Sequence, residues 1–143
     1  MAGHLTEFKV KLVDVLDSDS TLTALLASAS AIYYRNPRGA VTDPALFYTV
    51  STAFRPDTHS EGVRKMTVTF TAVGDDPDVL DQIETALEAL LDGVGSTLSS
   101  ANWGCKRCRI ISSEPEDVDR FDPDTMEKLN INRVTFEVTL YAA

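Results

Sequence analysis

Residues 66–93 read MTVTFTAVGDDPDVLDQIETALEALLDG, and two periodicities meet in that stretch. Met66, Val68, Phe70 and Ala72 alternate with Thr67, Thr69 and Thr71. Period two over such a run is a half-buried strand, which extends here over 63–73. After Gly74 the spacing changes. Val79, Leu80, Ile83, Ala86, Leu87, Leu90 and Leu91 fall on one stripe of a helix. Asp76 is placed as its N-cap. Pro77 takes the first helical position, where a missing N–H costs nothing. Gly93 supplies a left-handed stop.

The rest of the chain falls into place around that strand–helix unit. Upstream, Leu5, Phe8, Leu12, Val15 and Leu16 recur at helical spacing, so a first helix runs from about 4 to 17. DSDS at 17–20 offers N-cap residues for a short second helix, TLTALLAS. AIYYR (31–35) is β-branched and aromatic and reads as a short strand, followed by loop chemistry in NPRGAVTDP (36–44). In ALFYTVSTAF (45–54) Leu46, Tyr48 and Val50 share a face. That run pairs with 63–73 as a hairpin, and the polar, turn-rich RPDTHSEG (55–62) projects between them. Downstream, CKRCRIISSE (105–114) and NINRVTFEVTLYA (130–142) are strands, with 115–129 an acidic loop bearing two prolines. The expected fold is α+β: a mixed, mostly antiparallel four- to five-stranded sheet with helices packed on one face.

The chain has 143 residues, which suits a single domain spanning 1–143. At that size one core suffices without covalent staples. No apolar run approaches the ~18 residues a bilayer span needs. The first residues, MAGHLTEFKVKLVDVL, lack the plan of a secretory signal, which points to synthesis in the cytoplasm. There, two cysteines are no disulfide framework.

Those two cysteines are the sharpest chemical candidate. Cys105 and Cys108 have the C-x-x-C spacing of zinc sites and thiol–disulfide enzymes. In a regular strand, however, positions i and i+3 point to opposite faces about 10 Å apart. A disulfide needs Cα atoms within roughly 7 Å. A structural zinc needs four ligands, and the chain has no second cysteine pair. The expectation is two small residues in a strand, their thiols facing contrary ways. The remaining motifs fail on geometry. GVGSTL (93–98) follows a helix and lacks the third glycine of a dinucleotide fingerprint. DVDRFDPDTMEK (117–128) has Phe121, Asp122 and Lys128 where a calcium loop needs a ligand, a glycine and a glutamate. His59, Ser60 and Glu61 are adjacent, and adjacent residues in an extended loop do not converge as a triad must. No catalytic residue, metal site or cofactor is expected.

Charge is more informative. The chain carries 22 Asp+Glu against 13 Lys+Arg, a formal net charge of −9, which repels a phosphate backbone. Residues 75–92 hold seven acids and no base. Asp78, Asp81, Glu84, Glu88 and Asp92 line one edge of the helix. Like charges so spaced destabilise it by about 0.2–0.5 kcal/mol per pair. As a solubilising face the stripe needs no partner. As an electronegative wall it either repels passing DNA or meets Lys106, Arg107 and Arg109 of a neighbouring copy, because closed rings use two different patches per subunit.

The element order and several stretches resemble the tail terminator (tail completion) proteins of long-tailed bacteriophages. The stretches are LDSDSTLTALLASASAIYYRNPRG, DPALFYTVS, MTVTFTAVGDDPDVLDQIETALEALLDG and NRVTFEVTLYA, which together span nearly the whole length. The resemblance implies a structural virion protein without catalytic residues. Six copies would form a ring on the last layer of the tail tube, stop its growth and face the neck or connector. DNA would pass through without being gripped, and no membrane is involved. The basic group at 106–109 has no counterpart in that pattern. Exposed loops are where recognition usually sits. The expected contact residues are therefore Arg55, Asp57, His59 and Glu61 in the hairpin loop and Asp119, Arg120 and Asp122 in the acidic loop. Asp81, Glu84, Glu88, Lys106, Arg107 and Arg109 are the expected ring or lumen charges. Two rivals stand beside this: another head–tail joining or head-closure neck protein, and a small cytoplasmic thiol or metal protein built on Cys105 and Cys108.

Overall fold

A computed structural model describes residues 4–27, 31–34, 44–52, 63–74, 76–93, 98–100, 102–121 and 128–142. The elements in chain order are α1 (His4–Ser18), α2 (Ser20–Leu25), β1 (Ile32–Tyr34), β2 (Ala45–Thr52), β3 (Val63–Gly74), α3 (Pro77–Leu91), β4 (Trp103–Phe121) and β5 (Lys128–Ala142). The strands form one five-stranded sheet in the order β1-β2-β3-β5-β4. β1 runs parallel to β2 and every other pairing is antiparallel, so the sheet is mixed as expected.

The strand–helix unit behaves as its periodicities require. Met66, Val68, Phe70 and Ala72 are buried on one face of β3. They sit beside Leu46, Tyr48 and Val50 of β2 and Val134, Phe136, Val138 and Leu140 of β5. Phe70 and Phe136 meet edge to face with centroids 5.8 Å apart, a favoured aromatic geometry. All three helices supply the other half of this core: Phe8, Leu12 and Leu16 from α1, Leu22 from α2, and Leu80, Ile83, Ala86, Leu87 and Leu91 from α3. In α3 the Asp76 side chain accepts from the Asp78 N–H, Pro77 opens the helix, and Gly93 follows its end with φ +76°. The α2 N-cap is Asp19, whose side chain accepts from the Thr21 N–H.

The opposite face of the sheet is mainly polar, with Thr67, Thr69, Thr71, Thr135, Glu137 and Thr139 half-buried on its central strands. One end differs. Ala45, Val73 and Ile131 pair across the sheet and are buried, yet they stand apart from the main core. At the other end the ring of Tyr141 lies over Gly104 on the neighbouring strand, where a Cβ would collide with it.

β4 departs from the sequence reading in two ways. It is longer: the strand continues to Phe121 and β5 begins at Lys128, so 115–121 and 128–129 are strand rather than acidic loop. β4 lies at the sheet edge, where a proline such as Pro115 and a run of charges are compatible with a strand. It is also irregular, with register shifts between Cys105 and Arg107, Ile110 and Ser112, and Glu116 and Arg120. The hairpin-loop segment 55–62 lies outside the described residues.

Candidate interaction surfaces

The first register shift overturns the expectation for the cysteines. Cys105 pairs with Leu140 and Cys108 with Val138, two residues on the same inward face of β5. Lys106 is an extra residue in β4, and a bulge of that kind resets the alternation by one. Both thiols therefore enter the core together, 5% and 1% exposed, rather than facing contrary ways. Neither forms a disulfide. Burial, then the neighbouring Cys105, then Asp92 push the Cys108 thiol up to about 12. A thiol held protonated is a poor nucleophile and a poor metal ligand at neutral pH. Among the described residues no three His, Cys, Asp or Glu side chains are grouped to hold a metal ion.

The acidic stripe on α3 is present but not uniform. Asp78, Asp81, Glu88 and Asp92 are exposed, whereas Glu84 is half-buried. Two of the five carboxylates serve the fold. Asp81 Oδ1 accepts from Asn132 Nδ2 at 2.9 Å, which ties α3 to β5. Asp92 Oδ1 accepts from the Ile110 N–H at 2.9 Å, which ties the end of α3 to β4. Glu84 sits between Asp81 and Glu88, and its carboxyl is raised above the usual range by burial first and then by those two neighbours. Asp81, Glu84 and Glu88 thus form one electronegative ridge. Arg109 is elsewhere, on β4, and its guanidinium pairs with Glu137 at 3.5 Å with both side chains substantially exposed. Such a surface pair adds little stability.

Lys106 and Arg107 lie in β4 at the first bulge. Asp119 and Arg120 belong to β4 at its last register shift, not to a loop. Arg55, Asp57, His59, Glu61 and Asp122 fall outside the described residues. Sequence reasoning missed Asn132, a buried polar residue on an otherwise apolar face, and the second duty of Asp92. It also missed the bulge, although two successive bases between two core positions break period-two alternation and were a signal for it. Beside α1 lies a shallow groove of about 240 Å³ lined by Thr6, Glu7, Val10, Lys11, Asp14 and Ser100. Val10 is 59% exposed there, and Glu7 Oε1 accepts from Asn102 Nδ2 at 3.2 Å. No helix among the described residues is long and apolar enough to cross a membrane.

No protein-family model matches this chain, and no curated protein matches it in sequence. Solved structures do match in fold. A protein chain from the virion of a native gene transfer agent (GTA) particle aligns with a TM-score of 0.67, covering 90% of this chain and 90% of that chain at 14% identity. A second solved structure aligns with a TM-score of 0.62, covering 95% of this chain and 92% of that chain at 16% identity. At such identities the likeness is one of fold, and it extends over most of the length of each chain.

Proposed function

We propose that this protein is a structural, non-enzymatic component of a phage-like virion, acting as one domain, and that its place is that of a tail terminator. The observation that carries the proposal is the fold shared over 90% of both chains with a protein of the gene transfer agent virion. The sequence resemblance to tail terminators, drawn from the order of elements and the stretches quoted above, narrows it to the end of the tail. In this role copies of the chain, six on that resemblance, form a ring on the last layer of the tube. The ring ends tube growth and presents a second face to the neck or connector. Its chemistry is shape and surface potential. The ridge of Asp81, Glu84 and Glu88 keeps passing DNA from binding, or meets Lys106, Arg107 and Arg109 of the next subunit. Arg55, Asp57, His59, Glu61, Asp119, Arg120 and Asp122 supply contacts to the tube and neck.

Purified protein mixed with unterminated tail tubes, and separately with tailless capsids, tests this. Rings seated at one tube end, with elongation stopped, are the expected result. Attachment to capsids alone would move the protein to the head-closure layer, and attachment to neither would end the proposal. A thiol or metal protein is disfavoured by the burial of both cysteines and the raised Cys108.

A further inference from the structure

We draw no further inference here: the strongest candidate, the groove beside α1 lined by Glu7, Val10, Lys11, Asp14 and Ser100, carries nothing, because Glu7 Oε2, a buried oxygen with no hydrogen-bond partner among the described residues, is closed off from solvent, and nothing in the structure shows what would occupy the groove.

Discussion

The β3–α3 unit and β4 contribute to the same core by opposite means. In β3 and α3 the main-core positions follow from a fixed period, and the caps of α3 stand where the period stops. In β4 the period breaks three times, and the core positions are recovered only because extra residues are bulged out. A regular segment can be read from its own residues. A bulged one takes its phase from its partner, here β5, whose inward row of Val134, Phe136, Val138 and Leu140 dictates which β4 residues face the helices. The contrast implies that the regular segments are stiff to substitution in the usual core manner. In β4, cost should follow the observed register rather than the sequence spacing.

The largest effect tests the regular side. Phe136 is fully buried at the centre of β5 against Phe70. Phe136→Ala should lower unfolding free energy by about 3–5 kcal/mol, the range for a large aromatic removed from a core. Urea unfolding followed by circular dichroism measures it, and a loss below about 1 kcal/mol would mean that β5 does not set the core. The next effect tests the bulge itself. With both thiols inward, Cys105→Ser and Cys108→Ser each bury a hydroxyl and should each cost about 1–3 kcal/mol. An unbulged strand would show that cost at one of the two and almost none at the other. In the parent protein both thiols should react with a thiol reagent only as fast as the fold opens.

What was legible divides along the same line. The α+β class, the hairpin, Asp76, Pro77 and Gly93 follow from local chemistry, because propensity, cap and apolar stripe agree at those positions. The thiol orientation and the length of β4 did not follow. Lys106 and Arg107 between the cysteines, and Glu114 to Asp119 around Pro115, look like broken strand or loop when only neighbours in sequence are weighed. An edge strand is where such residues are tolerated. The α3 acids were legible as a stripe, but that Asp81 and Asp92 are hydrogen-bonded to β5 and β4 depends on strand order, which no local pattern carries.

A smaller effect sharpens the capping side of the contrast. Asp76 accepts from the Asp78 N–H at 3.0 Å. Asp76→Ala should cost about 0.5–2 kcal/mol in thermal or urea unfolding, as for other N-caps. An unchanged midpoint would show that α3 is held by its buried stripe alone.

The smallest effect bears on the ridge where the two regions meet. The Glu84 carboxyl is raised by burial and by Asp81 and Glu88. A carboxyl raised in the folded state favours its protonated form there. Its favourable contribution is therefore present below the unfolded carboxylate range and is lost as pH rises through the folded value. At neutral pH the ionised Glu84 is a net cost, and Glu84→Gln should stabilise. Solvent around this half-buried group screens the repulsion, so the gain should be no more than about 0.5 kcal/mol. It should vanish when the comparison is repeated below the carboxylate range and shrink in high salt, where the Debye length falls to about 3 Å at 1 M. A gain that persisted at low pH would have to come from packing or helix propensity. The ridge would then carry no electrostatic strain for a ring partner or a DNA channel to exploit.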